Sequence, residues 1–219
     1  MNSNYQKARY QMVENQLRPN KIEDPEILDI FKNTKKEEFI SKKEKEISYS
    51  DIDIEVDENR GYLKNLHIAQ LIFYSELKKN YKVLHIGGLT GYVTVMLSKL
   101  CKKIIVLENN PDLFKKLENN IKKLNIKNLK AINCSYNDGY IDDSPYDLIF
   151  IDNPVYKISA KIKNQLNSQS GKIIMIKKFN NFLSKAYKIT KNEDNYSKQF
   201  LFDVFTSYEL LKKKDEFIF

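Results

Sequence analysis

Three glycines, Gly87, Gly88 and Gly91, lie between a strand-like apolar run and a helix-like run in the stretch YKVLHIGGLTGY. A strand–turn–helix of this kind brings backbone close to a ligand, which requires small residues. Glu108 ends the next apolar run, seventeen residues after Gly91. That is near the spacing of about 20 at which an acidic residue accepts hydrogen bonds from ribose hydroxyls. Together these residues predict a nucleotide-type cofactor site, although Glu108 alone could be an exposed residue at a strand end.

Further polar residues follow the later strand-like runs. Asn137 and Asp138 come just after a strand that closes at Asn133, and Asp152 ends the run YDLIFID. In doubly wound sheets ligands bind at the carboxyl ends of the strands. Asp138 is therefore placed to reach a nucleobase amino group, although the sequence NDG is also common in turns. We expect these strand ends to border one crevice together with the glycine turn.

The elements that position these residues alternate between strand and helix. This order is typical of parallel βαβ units, with a sheet covered on both faces. The last forty residues instead predict two strands, SKAYKIT and KQFLFDVF, that close the sheet as an antiparallel hairpin around a polar break, KNEDNYS. The predicted strands are 82–86, 103–107, 129–133, 146–151 and 172–178, and the predicted helices are 66–77, 92–100, a helix opened by Asn110-Pro111, and about 159–166.

The N-terminal part has a different pattern. Apolar residues recur at near-helical spacing over 5–17, Asp24-Pro25 is a typical helix start, and DIDIEVDE at 51–58 alternates like a half-buried strand. We predict a helical N-terminal segment with a short strand, residues 1–64, packed on an α/β core formed by residues 65–219.

Composition limits the classes of function. The net charge of +8 invites a nucleic-acid hypothesis, but only three of the 37 basic residues are arginine and the lysines are scattered. We therefore expect no nucleic-acid partner. No apolar run approaches the roughly 20 residues of a membrane span, and the N-terminus lacks the apolar core of a signal peptide. Cys101 and Cys134 stand alone, which favours buried thiols over a metal site or a disulfide.

The order of segments resembles the protein-L-isoaspartate O-methyltransferase family, whose Rossmann-like class I methyltransferase sheet uses S-adenosylmethionine. The matching stretches run from about Ala8 to Ile176, and Pro145-Tyr146-Asp147 is the most specific, because the fold does not demand that tripeptide. Other matching stretches are MVENQL, EEFISKKEKEISYSD, VLHIGGLTGY, NDG and IKNQLNSQSGKIIMI. The resemblance implies a cofactor site formed by His85, Gly87, Gly88, Gly91, Glu108, Asn137, Asp138 and Asp152.

Two segments depart from the family pattern. His85 and Leu89 replace an acid and a glycine of the cofactor loop. The family's Thr-Ile-Ser-x-Pro segment, whose serine lies at the substrate site, corresponds here to NRGYLKNLHIA, with Leu63 at the place of the serine. No catalytic residue is assigned for this reason, and no metal site is expected.

The resemblance implies methylation of isoaspartyl carboxylates in damaged proteins, with S-adenosylmethionine as the cofactor. The polar N-terminus and the isolated cysteines favour a cytoplasmic location. Two alternatives stay open. One is a catalytically degenerate methyltransferase fold that serves as a binding module, and the other is a methyltransferase for RNA or a small molecule. An NAD-dependent dehydrogenase fits the first βαβ unit but not SPYD or the closing hairpin. The sequence carries no signal for an oligomeric state.

Overall fold

The computed structural model describes residues 2–193 and 195–211. The N-terminal part of the chain consists of two helices and a small β-hairpin that pack on the core. The first helix continues past its α-helical part as a π-helical stretch, Val13–Leu17, and a short 3₁₀ turn. Asp24 begins the second helix, because its carboxylate accepts hydrogen bonds from the backbone N–H groups of Glu26 and Ile27. The elements of this part are α1 (Asn2–Met12), α2 (Pro25–Asn33), β1 (Ile54–Asp57) and β2 (Arg60–Tyr62).

The rest of the chain forms a seven-stranded sheet with its helices. The elements are α3 (Asn65–Ser75), β3 (Lys82–Ile86), α4 (Tyr92–Ser98), β4 (Lys103–Leu107), α5 (Pro111–Lys123), β5 (Leu129–Ile132), β6 (Leu148–Val155), α6 (Ala160–Asn164), β7 (Lys172–Lys178), β8 (Leu183–Asn192) and β9 (Asn195–Phe205). The strand order is β5-β4-β3-β6-β7-β8-β9. Strands β3 to β7 pair in parallel, and β8 and β9 pair antiparallel. The Rossmann-like sheet with a closing antiparallel hairpin, predicted from sequence, is confirmed.

Side chains alternate between two apolar layers on the two faces of the sheet. Val83 of β3 and Phe150 of β6 belong to the layer that also contains residues of α2, α3 and α4. Leu84 and Ile149 belong to the layer that contains Ile162 of α6. Burial on both faces explains why these strands read as continuous apolar runs in the sequence. The carboxyl ends of the parallel strands meet at one edge, where the predicted crevice lies.

Several element bounds differ from the sequence prediction. The strand predicted at 51–58 is present but shorter, because only Ile54–Asp57 forms β1, and Ile52 lies outside it with 46% of its surface exposed. The predicted helix 66–77 ends at Ser75, because Glu76 adopts a left-handed conformation with φ of 49°. The polar break predicted at KNEDNYS is shorter than expected, because β8 and β9 pair as far as Asn192 and Asn195. Polar side chains are tolerated there because most of this end of the hairpin is exposed.

Over residues 2–193 and 195–211, no helix combines the length and the apolar character needed to cross a membrane.

Candidate functional site at the carboxyl edge of the sheet

The glycine turn joins β3 to α4 in the conformation that the sequence predicts. Gly87 and Gly91 have φ of 89° and 102°, a region that side chains disfavour. A Cβ on Gly88 would lie 2.4 Å from the Val106 side chain, so Gly88 lets the turn pack on β4. Leu89 adopts φ of 52°, and its fully buried side chain joins the core under the turn. The leucine therefore does not project into the crevice, which explains how the loop accommodates it.

Glu108 lies at the end of β4 and is fully buried. Its Oε2 accepts a hydrogen bond from the backbone N–H of Leu89 at 2.8 Å, so the carboxylate touches the glycine turn. Its Oε1 accepts hydrogen bonds from the Tyr136 hydroxyl at 2.7 Å and from the Asn110 N–H at 3.0 Å. The partnership of this acid with the turn, predicted from their spacing, is thus present in the structure.

Arg60 of β2 forms a buried ion pair with Glu108. Its Nη1 and Nη2 donate to Glu108 Oε1 and Oε2 at 2.9 and 2.8 Å, a bidentate pair. Burial is the largest single effect on Arg60 and opposes its charge. The hydrogen bonds with Glu108 and the attraction of Tyr136, Glu108 and Asp57 together exceed it and raise the pKa of the guanidinium. The guanidinium also lies over the Tyr136 ring, 5.4 Å from its centroid. Sequence reasoning missed Arg60. Its only signal was that it is one of three arginines in a lysine-rich chain.

His85 lies within the sheet under the crevice rather than on its surface. The ring is fully buried, with Nδ1 2.9 Å from Thr94 Oγ1 and Nε2 3.2 Å from Asp152 Oδ1. In the position of the family's acid, His85 therefore links α4, through Thr94, to β6, through Asp152. Asn153 follows Asp152, and its Oδ1 accepts a hydrogen bond from the Gly61 N–H at 3.4 Å. Its buried Nδ2 has no hydrogen-bond partner among the described residues.

Asn137 and Asp138 border a cavity of about 550 Å³ beside Tyr136. Asp138 is exposed and pairs with Lys161 at 3.0 Å. The cavity wall is largely apolar, formed by Ile86, Ile151, Val155, Ile158, Ile162 and Leu210. An apolar slot with a few polar groups at its rim suits a flat heterocycle such as a nucleobase.

The C-terminal strap, residues 206–211, crosses this edge of the sheet. Glu209 N–H donates to the Asn59 carbonyl at 2.9 Å, and Leu210 N–H donates to the Pro154 carbonyl at 2.8 Å. Leu210 packs against the glycine turn so closely that a Cβ on Gly87 would lie 2.5 Å from its Cδ1. Sequence reasoning missed the strap, because it has no periodic pattern.

The segment that replaces Thr-Ile-Ser-x-Pro is β2 with the start of α3. Leu63, at the place of the serine, is buried in the core. Tyr62 instead faces the glycine turn, and its hydroxyl accepts hydrogen bonds from Thr90 N–H at 3.2 Å and Tyr92 N–H at 3.1 Å. Within the described part of the chain, no three His, Cys, Asp or Glu side chains come together as a metal site.

Comparison with known proteins identifies the family. The model of the family described as Protein-L-isoaspartate(D-aspartate) O-methyltransferase matches residues 7–205. A protein-L-isoaspartate O-methyltransferase of Syntrophobacter fumaroxidans is 27% identical over 172 residues, 78% of this chain and 80% of the relative. One from Petrotoga mobilis is 26% identical over 195 residues, 89% of this chain and 91% of the relative.

A solved structure titled protein-L-isoaspartate O-methyltransferase has the same fold. It superposes with a TM-score of 0.79 at 21% identity, covering 91% of this chain and 65% of that chain. The family, the Rossmann-like fold, the methyltransferase class and the S-adenosylmethionine cofactor of that class, all predicted from the resemblance, are confirmed at the level of the family. The chain belongs to the protein-L-isoaspartate(D-aspartate) O-methyltransferase family of S-adenosylmethionine-dependent enzymes.

Proposed function

We propose that this chain methylates the free α-carboxylate of isoaspartyl residues in damaged proteins at the crevice described above. The observation that carries the proposal is the family match over residues 7–205, together with the Glu108 carboxylate in direct contact with the glycine turn. Gly87, Gly88 and Gly91 form the turn on the cofactor side, Glu108 is the ribose acceptor, and Asn137 with Asp138 lines the slot for the adenine ring. Asp152 and Asn153 border the place of methyl transfer.

The reaction makes few chemical demands on the protein. An isoaspartyl carboxylate titrates near the ordinary aspartate value of about 3.9, so it is ionised at neutral pH and needs no general base. The protein must hold the carboxylate in line and exclude water, which contributes up to roughly 7–11 kcal/mol in ideal geometry. Glu108, His85 and Asp152 are all buried and are therefore shielded from water.

The cofactor does not fit the crevice in the conformation that the structure describes. A carboxylate offers about four lone-pair positions. Glu108 already accepts five hydrogen bonds, two of them from Arg60, and leaves no acceptor for ribose hydroxyls. Leu210 lies against Gly87, where the amino-acid end of the cofactor approaches the turn. The slot beside Asp138 is open, while the ribose and amino-acid positions are filled by the chain itself.

The distribution of charge favours a polypeptide over a nucleic acid as the substrate. Several lysines from separate parts of the chain pair with carboxylates, as in Lys32–Glu14, Lys64–Asp51, Lys123–Glu38 and Lys172–Glu76. A nucleic-acid site needs clustered cations along one surface. We expect methyl transfer to be insensitive to added RNA.

We further propose a cytoplasmic location. Cys101 and Cys134 are free thiols, a state that persists in reducing compartments. Cell fractionation followed by detection of the chain tests this.

Radiolabelled methyl transfer from S-adenosylmethionine to an isoaspartyl peptide tests the proposed activity, with the same peptide carrying ordinary aspartate as the control. We expect label on the isoaspartyl peptide alone, in a base-labile ester. Glu108→Ala should abolish the transfer, because it removes the ribose acceptor. Absence of label with the wild-type protein and with the variants described below, at millimolar cofactor, would exclude the activity.

A further inference from the structure

We propose that this chain closes its own cofactor cleft, with Arg60 in the place of the cofactor ribose and Leu210 in the place of its amino-acid end. The inference rests on the proposed function. Cofactor binding then requires two exchanges: Glu108 releases the Arg60 guanidinium, and the C-terminal strap leaves the glycine turn.

The first exchange follows from the hydrogen bonds of Glu108. Arg60 binds both oxygens of this fully buried carboxylate at 2.8–2.9 Å. The bidentate pair joins two ionised groups, whereas a ribose hydroxyl would bring only an uncharged donor to the same carboxylate. The ribose therefore competes with a charged partner already in place. Arg60 Nε is buried and has no hydrogen-bond partner among the described residues, while Nη1 also lies 4.0 Å from Asp57 Oδ2 and the guanidinium lies over the Tyr136 ring.

The second exchange follows from the attachment of the strap. Lys178 is buried, and its Nζ donates to the carbonyls of Ser207 and Tyr208 at 2.8 and 3.0 Å. Lys178 also pairs with Glu209 at 3.3 Å. The Tyr208 ring covers Gly61, where an added Cβ would lie 2.6 Å from it. These contacts fix the strap and hold Leu210 against Gly87.

Closure affects only part of the cleft. The cavity of about 550 Å³ beside Asn137 and Asp138 has Leu210 in its wall, so the strap separates the slot for the base from the ribose position. A ligand with a base, a ribose and an amino acid must open the strap, whereas a base alone need not. The apparent affinity of the complete ligand is reduced by the fraction of molecules that are open.

Calorimetric titration with S-adenosylhomocysteine tests the inference on the full-length chain. The variants are Arg60→Gln, which frees Glu108, and Leu210→Ala, which frees the glycine turn. Phe205→Ala is the matched control, because Phe205 precedes the strap with 72% of its surface exposed. We expect each of the first two variants to bind at least about tenfold more tightly than the wild type, and the control to bind within about twofold of it.

Hydrogen exchange gives a second readout that does not depend on the stability of Arg60→Gln. The amides of Glu209 and Leu210 donate to Asn59 and Pro154 in the closed form. Ligand binding to the wild type should increase their exchange, whereas a strap that is merely structural would become more protected.

Three results would overturn the inference. The first is wild-type binding that Leu210→Ala and Arg60→Gln leave unchanged or weaken. The second is increased protection of the two amides on binding. If methyl transfer to the isoaspartyl peptide persists in either case, the closed cleft is wrong and the proposed function stands. The third is no binding by any variant at millimolar ligand, which would remove the proposed function as well.

Discussion

Lys36 is a fully buried lysine whose charge is only partly compensated. Its Nζ donates to Asn65 Oδ1 at 3.1 Å and to the Leu63 carbonyl at 3.5 Å, and it lies over the Tyr92 ring, 5.6 Å from the centroid. Burial lowers the pKa of Lys36 from 10.5 to about 7, against the attraction of Asp53. Lys36 therefore contacts the segment that replaces Thr-Ile-Ser-x-Pro, and the burial of its charge lowers the stability of the fold.

That cost depends on pH. Below about pH 7 Lys36 is protonated in both the folded and the unfolded chain, so the full cost of burying its charge is present. Above pH 7 the folded chain loses the proton while the unfolded chain keeps it. The contribution of Lys36 to stability therefore rises with pH, by up to about 1.4 kcal/mol per unit.

Lys36→Met should remove this dependence. The difference in unfolding free energy between Lys36→Met and the wild type, measured with urea at pH 7, 8 and 9, should shrink by about 2–3 kcal/mol over the series. Lys35→Met is the control, because the Lys35 side chain is half exposed. The difference in unfolding free energy between Lys35→Met and the wild type should be the same at the three pH values. A constant difference for Lys36→Met would show that Lys36 stays charged in the folded chain.

At the scale of elements, the hairpin β1–β2, the end of β6 and the C-terminal strap depend on one another. The Gly61 N–H of β2 donates a hydrogen bond to the side chain of Asn153, which follows Asp152 in β6. The Glu209 N–H of the strap donates a hydrogen bond to the Asn59 carbonyl in the hairpin turn. Lys178 of β7 fixes the strap from below. Local opening of the strap therefore requires few bonds to break, as is typical of elements that move on ligand binding.

Lys178→Met should loosen the strap without unfolding the sheet. Loss of two hydrogen bonds and of the pair with Glu209 should accelerate exchange of the Glu209 and Leu210 amides by about tenfold or more, since each net hydrogen bond contributes about 1 kcal/mol. Exchange in β3 and β4 should stay unchanged. Lys185→Met, on the neighbouring strand and partly exposed, is the control. Equal acceleration in both variants would contradict the assignment.

At the scale of the whole molecule, the N-terminal helices and the sheet share one apolar layer. Phe31 of α2 is fully buried in the same layer as Phe150 of β6 and Ile174 of β7. We propose that residues 1–64 and 65–219 unfold as one unit despite their different sequence patterns, because neither part covers its apolar surface alone.

Phe31→Ala should lower the unfolding free energy of the whole chain by about 3–5 kcal/mol, the usual cost of removing a buried aromatic side chain. Circular dichroism and tyrosine fluorescence should report one shifted transition. Phe182→Ala, with 74% of the side chain exposed, should leave the transition in place. Two separate transitions in Phe31→Ala would show that the N-terminal part unfolds independently.

The sequence by itself determined the order of elements, the glycine turn and the family. Apolar periodicity distinguishes strands from helices because each buried face repeats with the geometry of its own element. The Asp24 cap and the positive φ of Gly87 and Gly91 are local and therefore readable from sequence. The spacing of Glu108 from the turn predicted that both border one site, because adjacent parallel strands end at the same edge, and the structure brings them into direct contact.

Only the tertiary structure decided what fills the crevice. In the sequence, Arg60 and Glu108 are separated by 48 residues, and Gly87 and Leu210 by 123. No local pattern links such residues, since their contacts arise when the hairpin β1–β2 and the strap fold over the same edge. Whether a buried carboxylate is free for a ligand or held by an arginine is set by this long-range packing, and here it is held.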